Sequence, residues 1–76
     1  DGHIGRMAVL PDWRGRGIGA ALLEALMAEA ARRGMHRLAL SAQTHALGFY
    51  ARFGFEPEGA VYQEAGLPHQ AMGRAI

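Results

Sequence analysis

Gly15, Gly17 and Gly19 stand at alternate positions in Arg14-Gly15-Arg16-Gly17-Ile18-Gly19-Ala20 and run straight into an alanine- and leucine-rich helical pattern. Glycine bends into conformations closed to other residues and keeps side chains out of the way. The first unpaired amides of the following helix, and its positive dipole end, can therefore face an anion. Arg14 and Arg16 add fixed positive charge beside those amides. On the loop alone, phosphate binding and a plain strand-to-helix joint both stand; the flanking sequence has to decide.

A chain of 76 residues is one small domain at most, and at that size it buries only about 60–65% of its unfolded surface. Half of the residues are hydrophobic, ample for a core. The absence of cysteine excludes disulfides and thiolate metal sites and suits a reducing compartment. Nothing reads as a signal peptide, and Glu24 and Glu29 interrupt the longest apolar segment, so the expectation is a cytoplasmic protein with no membrane partner. All eight basic residues are arginine, which rules out lysine Schiff-base chemistry. A net charge of only +1 argues against a nucleic-acid partner.

The order of elements follows from periodicity and punctuation. Ile4 to Leu10 reads as a strand closed by Pro11-Asp12. From Gly17 to Arg33 the apolar residues Ile18, Leu22, Leu26 and Ala30 recur every four positions, widened by Leu23 and Met27, which predicts an amphipathic helix stopped by Gly34. Glu29, four residues before Arg33, is placed to pair with it. Leu38 to Ala42 is a short buried strand. Thr44 is placed to cap a second helix running to about Phe53, where Gly54 and Phe55 supply a glycine stop and an apolar residue that folds back. Glu56 to Gly59 reads as a loop, and Ala60 to Gln63 and His69 to Arg74 as strands joined by Glu64 to Pro68. The predicted order is strand, helix, strand, helix, strand, strand, an α/β fold.

A Walker phosphate loop needs Gly-Lys followed by Ser or Thr, and the chain has no lysine. A dinucleotide fingerprint can be laid over Gly15, Gly17 and Ala20, but Pro11 to Arg14 separate it from its strand, and the next strand ends in Ser41-Ala42-Gln43 rather than an acidic residue; it stays as a remote reading. Met7-Ala8-Val9-Leu10-Pro11, the glycine loop, and Ala46 with Phe49-Tyr50-Ala51-Arg52-Phe53-Gly54-Phe55 together resemble the second half of a GCN5-related N-acetyltransferase (GNAT), a member of the acetyl-CoA-dependent superfamily. The resemblance covers nearly the whole chain, and Ser41 to His45 and Glu64 to His69 are similar to the ElaA-like bacterial branch.

The resemblance implies acetyl transfer from acetyl-CoA to an amine acceptor; no metal is expected, since His45 and His69 come with no second ligand pattern. It implies that the backbone of Met7, Ala8 and Val9 pairs with the pantetheine arm, and that Arg14, Gly15, Arg16, Gly17, Ile18, Gly19 and Ala20 wrap the pyrophosphate with main-chain N–H groups. Gln43 stands where many relatives carry a cofactor-contacting asparagine. Tyr50 matches a tyrosine that protonates the leaving thiolate, and a phenol of pKa about 10 suits that task. Leu38 occupies the position where relatives often place a glutamate base; aminolysis of a thioester can proceed by positioning alone. A fold-preserving acyl-CoA-binding module without turnover is the alternative.

Without the resemblance, Tyr50 reads as an amphipathic core residue between Phe49 and Phe53. His45 and His69 read as structural or exposed, Trp13 as packing against the loop, and the Arg32-Arg33-Met35-His36-Arg37 cluster as a solvated helix end. The resemblance also implies that residues 1–76 form a partial domain, the cofactor-binding half, whose N-terminal half lies elsewhere. An uncovered first strand would then recruit a second copy, as a homo-oligomer, or the complementing half.

Overall fold

A computed structural model describes residues 6–10 and 19–76. Strand β1 (Arg6–Val9) leads to helix α1 (Ala20–Arg32) and strand β2 (Met35–Gln43); a 3-10 turn (Thr44–Ala46) and short helix α2 (Leu47–Ala51) follow, then strands β3 (Glu56–Glu64) and β4 (Leu67–Ala75). The sheet runs in the order β1-β2-β4-β3, with β1 parallel to β2 and the other two pairs antiparallel. The α/β order expected from the sequence is present, with shifted boundaries.

Helix α1 starts at Ala20, and Gly19 is extended (φ −81°, ψ 156°), so the helical pattern read from Gly17 begins later than its periodicity suggests. Its buried line is Leu23 and Ala30 with Leu26 and Met27 half-buried, while Leu22 is 45% exposed. The packed stripe is thus centred one residue later than the four-residue repeat through Leu22. Gly34 ends the helix with φ +78°, its N–H donating to Ala31 O at 3.0 Å. Glu29 accepts from Arg33 Nε at 2.7 Å and also from Arg32.

Strand β2 is longer than the run Leu38 to Ala42. Met35, His36 and Arg37 belong to it and not to a solvated helix end, because β1 on one side and β4 on the other satisfy their main chain: Met35 registers with Arg6, and Arg37 with Met7 and Ala75. Pairing outweighs the polar composition that read as a helix terminus. The stretch Glu56 to Gly59, read as a loop, lies in β3. A bulge absorbs its turn-like character: Glu58 pairs with Ala71 and Tyr62 with His69, so β3 carries two more residues than β4 between these rungs, and Gly59 takes φ +82° there. The β3–β4 connection shrinks to Ala65-Gly66, both at positive φ (54° and 77°), the geometry of a tight hairpin turn.

The second helix is also shorter than expected. Neither the 3-10 turn nor α2 has a side-chain cap, so Thr44 does not serve as the predicted N-cap. The predicted stop is present: Gly54 (φ +88°) donates to Ala51 O at 3.0 Å and Phe55 N–H reaches Tyr50 O at 3.3 Å, the paired bonds of a Schellman closure.

Both helices lie on one face of the sheet. Leu38, Leu40 and Ala42 of β2, Met72 of β4, Leu23 and Ala30 of α1, Tyr50 of α2, and Leu10 and Phe55 form a single core. Burying a side chain the size of Leu23, Leu38, Phe55 or Met72 contributes about 1.5–3 kcal/mol, and each is at most 2% exposed. Alternation along the strands sends Arg37, Ser41 and Gln43 to the opposite face. There they meet Gly73, Ala71 and His69 of β4, and Glu58 and Tyr62 of β3. No described helix packs on this second face, and its pairs are polar: Arg37 with Glu58 across Gly73, and Ser41 Oγ with the Tyr62 hydroxyl.

Candidate active site

The four-residue strand β1 is an edge among the described residues, and the direction of its hydrogen bonds decides what that edge offers. Leu10 N–H donates to Ala39 O at 2.8 Å. In a strand the N–H and C=O of one residue point the same way and alternate along the chain. Ala8 and Leu10 therefore turn their main chain toward β2, while Met7 and Val9 turn theirs outward. Their side chains are exposed too, at 54% and 71%. Of the three residues expected to meet the pantetheine arm, Met7 and Val9 present free-edge backbone; Ala8 is held against β2 and packs on the core.

Gly19 and Ala20 form the start of α1. Gly19 has no side chain and, like Ala20, is exposed, and a Cβ built on it meets nothing within 4 Å among the described residues. No acidic residue sits in the first turn to neutralise the helix dipole. Arg14, Gly15, Arg16, Gly17 and Ile18, and Trp13 beside them, lie outside the described residues.

Gln43 closes β2, and its Oε1 is 2.8 Å from His45 Nε2 on the 3-10 turn. An amide oxygen only accepts, so His45 donates and the Gln43 NH2 group is left facing away from it. Tyr50 follows seven residues on, in α2. It is 9% exposed, edge-on to Phe49 (centroids 5.2 Å, 80°) and to Phe55 (6.1 Å, 76°). Its ring is a core residue, as its spacing suggests, and the Schellman closure holds the turn that carries it. Leu38 is fully buried on the helix-bearing face, in register with Ala8 and Arg74. A carboxylate at that position would be fully buried, with Arg74 directly across the strand pair.

His69 reads as an isolated histidine in the sequence, yet the fold sets it between Gln43 of β2 and Tyr62 of β3, with no exposed surface. Its Nδ1 lies 2.8 Å from Leu67 O, its ring is 6.0 Å from that of Tyr62, and Nε2 has no hydrogen-bond partner among the described residues. His45 and His69 are thus connected through Gln43. Among the described residues no group of His, Asp and Glu is gathered to hold a metal, and no helix is long and apolar enough to cross a membrane. Ser41 and Tyr62 are given no role by the sequence reading. Their signal was the period-two alternation Arg37, Ala39, Ser41, Gln43, visible only once the strand is extended back to Met35.

A family model described as an acetyltransferase (GNAT) domain matches residues 1–75. The chain belongs to the GNAT family. It is 35% identical over 74 residues to the protein ElaA of Escherichia coli, an alignment covering 96% of this GNAT chain and 48% of ElaA. Among solved structures it resembles an acyl-CoA N-acyltransferase from Pseudomonas aeruginosa, with TM-score 0.72 and 40% identity, covering 82% of this chain and 42% of the other. It also resembles E. coli ElaA itself, with TM-score 0.63 and 37% identity, covering 80% of this chain and 41% of the other. The GNAT chain spans about half the length of the curated relatives it matches. The mixed sheet, with its parallel β1–β2 pair joined through α1, is that of the acyl-CoA N-acyltransferase fold.

Proposed function

We propose that residues 1–76 are the cofactor-binding part of an acetyltransferase domain that moves the acetyl group of acetyl-CoA to an amine of a small molecule or peptide. One observation carries the reading. The outward main chain of Met7 and Val9 lies on the strand that leads into the glycine loop, and beyond the loop the start of α1 at Gly19 and Ala20 is exposed. An extended amide-bearing arm can add to the strand edge by main-chain hydrogen bonds, and a pyrophosphate can sit on the helix amides, with Arg14 to Ile18 wrapping it. Gln43, its NH2 group oriented by His45, offers a further donor to a carbonyl of the arm.

Tyr50 is the proton donor to the departing thiolate in this reading. The Tyr50–Phe55 closure and the packed ring of Phe49 fix its position, which lowers the cost of orienting the hydroxyl in the transition state. Replacement of Gly17 by valine tests the coenzyme site: titration calorimetry of the intact protein should show coenzyme A binding weakened by more than about tenfold, or roughly 1.4 kcal/mol. Unchanged affinity would remove the loop from the site. The runner-up, an acyl-CoA-binding module without turnover, shares the same coenzyme site and differs in releasing no thiol when amines are supplied.

A further inference from the structure

We infer that His69 is the group that takes the proton from the attacking amine, and that the end of the open sheet face around it, floored by Gln43, Ser41 and Tyr62, receives the acceptor. The inference rests on the acetyl-transfer reading above and supplies the base for which Leu38 leaves no room.

The starting point is an unsatisfied buried nitrogen. Buried polar atoms in folded proteins nearly always have partners, and an exception calls for a chemical reason. His69 has no exposed surface and its Nε2 has no partner among the described residues. The other ring nitrogen determines what Nε2 is. Leu67 O can only accept, so Nδ1, 2.8 Å away, carries the hydrogen. In the neutral ring Nε2 is then the lone-pair nitrogen, held in a fixed orientation by a main-chain bond, which is how a histidine base is set to one tautomer.

Position supports the role. His69 registers with Gln43, the last residue of β2, at the end of the sheet toward which the parallel strands β1 and β2 both point. Ligands of open α/β sheets gather at those carboxyl ends. Tyr50 belongs to the helix-bearing face and His69 to the open face. Both groups serve one acetyl carbon, so the reading requires the thioester to sit at that carboxyl end, past the last rung of β2, where it can be approached from either face. The cover over Nε2 is thin: β3 is exposed along its whole length, and Tyr62, beside the imidazole, is itself 39% exposed. The proposal requires this cover to open, and the Tyr62 side chain, held to Ser41 on the open face, is the part of it that can move without the core.

The step balances without a further reactant. The amine nitrogen bonds to the thioester carbon, the carbon–sulfur bond breaks, the amine proton passes to His69 Nε2, and the thiolate takes the Tyr50 hydroxyl proton; both side chains then exchange protons with water. Among the described residues the titratable groups facing His69 are Tyr62 on β3 and, beyond Gln43, His45 on the 3-10 turn. Farther along the same face Glu58 is paired with Arg37, and Glu64 lies two rungs beyond Tyr62.

His69→Asn separates chemistry from structure, since the asparagine amide can still donate to Leu67 O while the Nε2 lone pair is gone. In the intact protein, with acetyl-CoA and a lysyl peptide or a small alkylamine as probes, kcat/KM for the amine should fall by about 10²-fold or more, with the acetyl-CoA dissociation constant changed by less than about twofold. The acid limb of the wild-type pH profile should disappear in the variant. Long-range proton–nitrogen NMR of the wild type, with His69 assigned through correlations from its own ring to its backbone, should show the Nδ1–H tautomer. Turnover in H69N equal to wild type, or an Nε2–H tautomer in the free protein, overturns the assignment. Should H69N fail to fold, His69→Gln gives the same kinetic readout, and an Nε2–H tautomer in the wild type still overturns the assignment. Wild-type protein that does not bind acetyl-CoA would instead remove the acetyl-transfer reading itself, an outcome calorimetry separates from loss of the base.

Discussion

Phe55 folds back so that its N–H meets the Tyr50 carbonyl at 3.3 Å while the two rings meet edge to face at 6.1 Å. The contact joins the end of α2 to the beginning of β3. It makes the position of the Tyr50 hydroxyl a property of the core rather than of a five-residue helix, which on its own would be too short to persist in water.

Tyr50→Phe keeps the ring in that core and removes only the hydroxyl. Thiol release from acetyl-CoA in the presence of an amine should fall by about 10²-fold, with coenzyme affinity nearly constant. Equal rates for the two proteins would leave Tyr50 a packing residue.

Gly54→Ala addresses the closure itself. Gly54 sits at φ +88°, and a Cβ there would lie 3.1 Å from Arg74 Nε, whose guanidinium donates to Phe53 O at 2.7 Å. The left-handed conformation and the displaced arginine should together cost more than about 1 kcal/mol. Denaturant melts give the stability loss, and the rate of thiol release should drop with it as Tyr50 loses its anchor.

Leu38→Glu places an acid where the family resemblance implies a base, but at a fully buried site on the helix-bearing face. Desolvating a carboxylate there costs several kcal/mol, which Arg74 in register on β4 offsets only in part. The variant should be strongly destabilised, with no gain in amine acetylation. A stable, faster enzyme would return the base to β2 and away from His69.

Glu29 accepts from Arg33 and Arg32 on the exposed side of α1, and those bonds hold its carboxyl below the usual range. Because the folded pKa is the lower one, the contribution is present above the unfolded carboxylate pKa and is lost as pH falls through the folded one. Glu29→Gln should flatten the acid side of the stability curve in that window, by a small amount because the pair is solvent-exposed. Melts across acidic pH, compared between the two proteins, measure it.

Much was legible in the residues themselves. The strand–helix–strand start, the Gly34 and Gly54 stops, the Glu29–Arg33 pair and the fold-back of Phe55 all follow from local chemistry: apolar spacing, glycine at positive φ, opposite charges one turn apart. The family-bearing motifs are likewise local. Local chemistry misplaced what pairing controls. Met35 to Arg37 became strand because β1 and β4 take up their backbone, Glu56 to Gly59 became strand through a bulge, and the helix read from Thr44 split into a 3-10 turn and α2. Gln43 and Tyr50 could be named from motifs, but not that they would serve opposite faces of a sheet. His69 shows the division most sharply. In the sequence it is one histidine after a proline; only the registers β2–β4 and β3–β4 set it between Gln43 and Tyr62, and only the Leu67 carbonyl fixes which nitrogen keeps its lone pair. Which residues meet across strands is a long-range matter, and no local propensity encodes it.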